Sequence, residues 1–147
     1  MGMVHAEITL KNVRDELFAR DGYIKAEEIR NVTVTALVDT GAATLVINEA
    51  VRQMLGLAID GARRARLADG TLRNYAMTEP VSVHWKNRKM TCQPLVLPNS
   101  NNVLLGAVPL EDMDLIVNPS TQELVGAHGE EIISIICQAF VQLCSHK

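Results

Sequence analysis

The run Thr33-Val34-Thr35-Ala36-Leu37-Val38 ends in Asp39-Thr40-Gly41, and nothing else in the chain narrows the possible folds as much. Its β-branched and apolar residues suit a buried strand. A carboxylate at the end of such a strand is costly unless something satisfies it or uses it. Gly41 lets the chain bend and lets another backbone come close. Ala42-Ala43-Thr44 then leads into apolar Leu45-Val46-Ile47, a second buried strand. The expected unit is strand, tight turn, strand, with one acid at the bend. The bland alternative is that Asp39 only forms the turn, its carboxylate capping local N–H groups.

Two later stretches bear on that choice. Leu104-Leu105-Gly106 places two large apolar residues before a glycine, and Pro109 suits the first turn of a short helix through Met113. Between the two motifs, residues 62–68 and 72–77 read as the arms of a hairpin with an Asp69-Gly70 turn. In this order, Asp-Thr-Gly-Ala, Asp-Gly hairpin and Leu-Leu-Gly, the chain resembles the retropepsin-like aspartic proteases, the small cellular enzymes of bacteria more than the viral ones. The resemblance covers about residues 30–126 of a single retropepsin-like domain, 1–147. It implies an all-β fold with one or two short helices, a retropepsin-like closed β-barrel whose active site lies at a homodimer interface.

The resemblance also implies roles. Asp39 is the catalytic carboxylate, Thr40 hydrogen-bonds across the dimer axis, and the Gly41 carbonyl contacts substrate backbone. Ala42 and Ala43 line the substrate, Ala68, Asp69, Gly70 and Thr71 form a flap that closes over it, and Leu105 and Gly106 complete the binding site. The chain departs from viral enzymes at Ala43, where they often carry aspartate, and at Ala107-Val108, where they carry Arg-Asn. The first departure affects substrate anchoring and the second the polar network beneath the site.

Hydrolysing a peptide with carboxyl groups takes two of them, one ionised to activate water and one protonated to donate to the carbonyl. In aspartic proteases the two share a proton. This chain has one Asp-Thr-Gly. Asp60-Gly61 and Asp69-Gly70 lack the apolar lead-in, and Asp112 and Asp114 lack the glycine. A two-fold dimer would bring two copies of Asp39 to one axis. The function expected is a homodimeric aspartic endopeptidase acting on peptide or unfolded protein. The alternative is a dimeric peptide-binding module of the same fold that does not cleave or is activated by a partner. A structural dimerisation domain is a third reading.

Composition excludes other classes. The chain of 147 residues, of length suited to one domain, has a net charge of −3, which argues against a nucleic-acid partner. Its one basic run, Arg63-Arg64-Ala65-Arg66, reads as a solvated strand face. Cys92, Cys137 and Cys144 are odd in number and irregularly spaced, so neither a disulfide framework nor a zinc site is expected. His5, His128 and His146 have no metal-ligand spacing, and no cofactor is expected. Charges at Glu7, Lys11, Arg14, Asp15 and Glu16 interrupt any secretory run, and no apolar run reaches membrane-spanning length. A cytoplasmic location without membrane contact follows as the expectation. Aromatics are scarce, so the core must be aliphatic.

The remaining elements read locally. His5 to Lys11 alternates as a half-buried strand, Arg14-Asp15-Glu16 is a polar break, and residues 17–24 suggest a short strand or turn-rich segment around Asp21-Gly22. Residues 25–30 suit a helical turn. Asn48 can cap a helix over residues 49–55 that Gly56 ends. Residues 81–85 form a strand with Val81, Val83 and Trp85 on one face, 86–89 a polar turn, and 90–97 the return. Residues 115–117 and 123–125 pair around Asn118-Pro119-Ser120. The tail, 127–147, contains an apolar stretch, 132–144, that fits a helix stripe and a strand face equally. A tail this apolar needs cover. By resemblance, residues 132–136 pair across the dimer.

Overall fold

A computed structural model describes residues 3–136. Strand β1 (His5–Asn12) alternates as its sequence requires and buries Ala6, Ile8, Leu10 and Asn12. It pairs antiparallel with β2 (Asn31–Val38) on one side and β6 (Val81–Trp85) on the other, and β6 continues to β7 (Arg88–Cys92). Beyond β2 lie β9 (Leu104–Leu105), β3 (Leu45–Ile47), β8 (Leu95–Val96), β5 (Leu72–Thr78) and β4 (Ile59–Arg66). The nine strands form one curled sheet in the order β4-β5-β8-β3-β9-β2-β1-β6-β7. β10 (Leu115–Asn118) and β11 (Glu123–Gly126) form a separate hairpin.

The concave side of the curl is filled with aliphatic side chains. Ile8, Leu10, Leu45, Ile47, Leu55, Leu57, Val81, Val83, Leu105 and Met113 are fully buried, and Trp85 is the single buried aromatic among the described residues. At roughly 1.5–3 kcal/mol per buried large side chain, this cluster supplies the main driving force for folding. No helix among the described residues is long and apolar enough to cross a membrane.

Helix α2 (Glu49–Leu55) sits where its end signals put it. Asn48 Oδ1 accepts from the Val51 N–H at 2.9 Å, and Gly56 turns left-handed at φ 63° to close the C-terminus. Helix α3 (Ala107–Asp112) starts at Gly106.

Two expectations are corrected. The break at 14–16 and the first part of the short strand or turn-rich segment at 17–24 are instead one helix, α1 (Val13–Arg20), and the turn around Asp21-Gly22 follows it. Asn12 Oδ1 caps it by accepting from the Asp15 N–H at 3.1 Å, and Asp15, Glu16 and Arg20 sit at the ends where the helix dipole favours them. The polar turn at 86–89 is shorter, because the chain reverses at Lys86-Asn87 and Arg88 enters β7 almost completely buried. Its guanidinium donates to the carbonyl oxygens of Met113 (2.7 Å), Asp114 (2.6 Å) and Gly129, tying the β6–β7 turn to the chain on either side of the β10–β11 hairpin. Within the single chain, residues 132–136 of the tail form neither helix nor strand, and Ile135 is 96% exposed; the rest of the 132–144 stretch lies outside the described residues.

Candidate active site

Strand β2 delivers Asp39, and β9 holds it. β2 and β9 run parallel with Leu37 opposite Leu104 and Val38 opposite Leu105. On its other edge β9 pairs antiparallel with β3, Leu45 opposite Leu105. The chain therefore leaves β2 at Asp39, loops through residues 40–44, and returns as β3 on the far side of β9. The Asp39 N–H donates to the Leu105 carbonyl at 3.0 Å, and the Ala42 N–H donates to the Asp39 carbonyl at 3.1 Å. The Gly41 N–H donates to Asp39 Oδ1 at 3.0 Å, which fixes one carboxylate oxygen.

Helix α3 completes the clamp. Its first N–H groups have no partner within the helix. Those of Ala107 and Val108 donate to the carbonyls of Ala42 and Ala43 at 2.8 and 2.9 Å. Gly106 is what permits this approach. A Cβ at that position would stand 2.6 Å from the Ala42 carbonyl oxygen and 2.8 Å from the Thr44 nitrogen, with the Thr44 carbonyl oxygen nearer still. The Asp-Thr-Gly and Leu-Leu-Gly stretches, far apart in sequence, are thus one hydrogen-bonded body.

A cleft of about 760 Å³ opens beside the turn. Asp39 and Gly41 to Thr44 form one wall, residues 63–68 of the hairpin the other, with Val46, Tyr75, Leu95, Leu97 and Leu104 between. Of the residues singled out in the sequence, Asp39, Gly41, Ala42, Ala43 and Ala68 line the cleft. Thr40 is exposed and does not line it. Leu105 and Gly106 are buried behind the turn, and the leucine that lines the cleft is Leu104. Asp69, Gly70 and Thr71 form the exposed hairpin tip outside the cleft. There the Thr71 N–H and hydroxyl donate to Asp69 Oδ1 at 2.9 and 2.6 Å, holding that carboxyl below its ordinary pKa, and Gly70 takes φ +87°.

The sequence reading missed Arg63, Arg64 and Arg66 as cleft residues. They are exposed, as a solvated strand face would be, but β4 is an edge strand bordering the cleft. The available signal was a basic run next to an Asp-Gly hairpin in an acidic chain. Among the described residues no group of three or more His, Cys, Asp or Glu could hold a metal. Cys92 packs against the core, and burial pushes its thiol up to about 12, so it is no nucleophile at neutral pH.

An acid turn threaded around a short strand, on one wall of a cleft whose other wall is a hairpin, fits the retropepsin-like aspartyl proteases as a class. Within that class the chain belongs to the gag-polyprotein putative aspartyl protease family, whose profile matches residues 26–123. Among solved structures, the retroviral protease-like domain of Ddi1 from Leishmania major shares the fold, with a TM-score of 0.54 and 18% identity over 92% of this chain and 91% of that one. No curated protein sequence matches the chain.

Proposed function

We propose that the chain is an aspartic endopeptidase that works as a homodimer on peptides or unfolded protein. One observation carries this reading: Asp39 is the sole carboxylate lining the cleft among the described residues, and its turn is held ready by its own chain. A second acid must come from elsewhere, and a second copy supplies it by symmetry. One Asp39, ionised, takes a proton from water as the water attacks the peptide carbonyl. The other, protonated, donates to the carbonyl oxygen, giving a gem-diol; the first then passes the proton it took from water to the amide nitrogen as the C–N bond breaks, and a diol hydroxyl returns a proton to the second.

The other residues position substrate. Thr40 is exposed on the turn, and in this reading it hydrogen-bonds across the dimer axis. The backbone of Gly41, Ala42 and Ala43 offers polar groups to an extended peptide, and Ala68 to Thr71 close over it. Leu105 and Gly106 act through the turn by fixing its place.

Peptide cleavage with sedimentation tests the proposal. Wild type should sediment as a dimer and cleave. Asp39→Asn should remain a folded dimer without activity, because asparagine keeps the shape but can neither activate water nor share a proton. Activity should follow a bell with pH, since the pair must hold one proton. A fully active monomer, or wild-type turnover in Asp39→Asn, would refute it. Peptide binding by an intact dimer that never cleaves would select the binding-module alternative.

A further inference from the structure

Strand β4 is the end strand of the nine, paired on one side only, with β5. Its other edge is left without a partner strand, and residues 63–66 of the strand line the cleft that holds Asp39. An extended peptide can add to such an edge, its backbone completing the ladder and its side chains meeting those of β4 in alternation. Three of the β4 residues lining the cleft are arginines, Arg63, Arg64 and Arg66.

These arginines have no anionic partner among the described residues. The ion pairs found there involve Arg14, Arg20, Arg30, Arg52 and His128 instead. The hairpin's own carboxylates are engaged elsewhere, Asp60 with the Gln93 amide at 2.9 Å and Asp69 with Thr71. The surplus of positive charge is local, since the chain as a whole carries −3. Between the arginines and the Asp39 turn the cleft is largely apolar, lined by Val46, Leu95, Leu97 and Leu104. A ligand suited to both surfaces is extended, apolar where it crosses those residues, and acidic where it lies along β4.

We infer that the substrate of this cleft is an acidic peptide segment, whose glutamate or aspartate side chains pair with Arg63, Arg64 and Arg66 while an apolar stretch lies near Asp39. The inference rests on the proposed reading of the cleft as a peptide site. Guanidinium groups suit carboxylates because two N–H donors can engage both oxygens. Clustered positive charge also raises the encounter rate with acidic chains, an effect that fades as salt is added. The competing explanation is protective: charged residues on an edge strand deter pairing with other sheets. Protection needs charge of either sign, whereas recognition of carboxylates needs positive charge.

The test compares two fluorescein-labelled peptides with the same apolar Leu-Leu centre, one flanked by glutamates and one by lysines. Binding is read by anisotropy on the Asp39→Asn protein, where no cleavage intervenes, and cleavage is read separately on wild type. The glutamate peptide should bind more tightly, with affinity that falls as salt rises. At about 1.4- to fivefold per exposed charge pair, the three arginines together should give about three- to a hundredfold. In Arg63→Glu/Arg64→Glu/Arg66→Glu on the same background, with fold checked by circular dichroism, the preference should reverse toward the lysine peptide. Equal binding of both peptides, binding of neither, or a glutamate preference that survives the charge reversal would overturn the inference. Glutamate-peptide binding that reverses as stated, with no cleavage by wild type, would support the inference while refuting the peptidase. Cleavage by wild type without charge preference would do the opposite.

Discussion

Gly106→Ala should uncouple the acid turn from the strand and helix that hold it. The added Cβ meets only backbone, the carbonyls of Ala42 and Thr44 and the Thr44 nitrogen, so no rotamer change can relieve the overlap. Either the 40–44 loop or the start of α3 must move, and the bonds from Ala107 and Val108 to Ala42 and Ala43 are in the way. Losing those two costs about 0.5–1.5 kcal/mol each. Forcing an extra carbon into a packed site costs about 1–3 kcal/mol more. The sum, about 2–6 kcal/mol, is a large share of the roughly 5–15 kcal/mol by which domains are stable. Urea unfolding should show it as a lower midpoint, and exchange at the Ala107 and Val108 amides should quicken.

Two controls sharpen the test. At Gly41 a Cβ would meet only Asp39 Oδ1, at 3.1 Å, so Gly41→Ala should disturb the carboxylate while changing stability by less than about 1 kcal/mol. Gly70 has open space around it, and Gly70→Ala should cost only about 1 kcal/mol for its left-handed conformation. The expected order of damage is Gly106 well ahead of the other two. A Gly106→Ala protein with wild-type midpoint and exchange would refute the close approach on which the site's geometry depends.

Arg88→Met should lower stability by about 2–4 kcal/mol, because several carbonyls converging on the guanidinium lose a charged donor, and exchange at the Ala127 and Ile133 amides should rise; unchanged exchange would refute the clamp. Asn12→Ala should cost about 1–3 kcal/mol in urea unfolding, since the fully buried amide caps α1 and also donates to the Leu55 carbonyl at 2.8 Å. The Arg30 guanidinium, hydrogen-bonded to Asp15 at 2.8 and 2.9 Å, lowers that carboxyl's pKa despite its burial. A depressed folded value means the pair's stabilisation is full above about pH 4, the ordinary aspartate value, and is lost as pH falls through the folded value. Asp15→Asn should therefore differ from wild type in unfolding free energy at pH 6 and converge with it in strong acid, and a gap constant with pH would refute the pairing.

Elements written in local pattern were legible. The alternation of β1, the apolar approach to Asp39, the Asn48 and Gly56 signals around α2, and the hairpin of β4 and β5 each depend on near neighbours, and the structure has all four. Helix α1 was not legible because it has no strong apolar stripe. It stands on a cap and on Asp15, whose partner Arg30 is fifteen residues away. Arg88 was misread for a related reason. Lys86-Asn87-Arg88-Lys89 looks uniformly polar, and Arg88 alone is drawn inward because carbonyls 25, 26 and 41 residues further on converge there.

The site divides along the same line. The two motifs could be read directly, since each needs particular residue types in a fixed order. Which leucine of β9 faces the cleft is set by the parity of its register against β2 and β3, and Leu104 and Leu105 are equivalent until that register exists. The arginines of β4 pose the harder case. A basic strand face means solvation in the middle of a sheet with one wet side, protection at a free edge, and recognition at an edge that borders a cleft. Sequence supplies the alternation and the charge, but the place of β4 at the end of the strand order comes from pairings spread over the whole chain. It is the coincidence of edge, cleft and unpaired charge that turns three ordinary surface arginines into a candidate determinant of substrate.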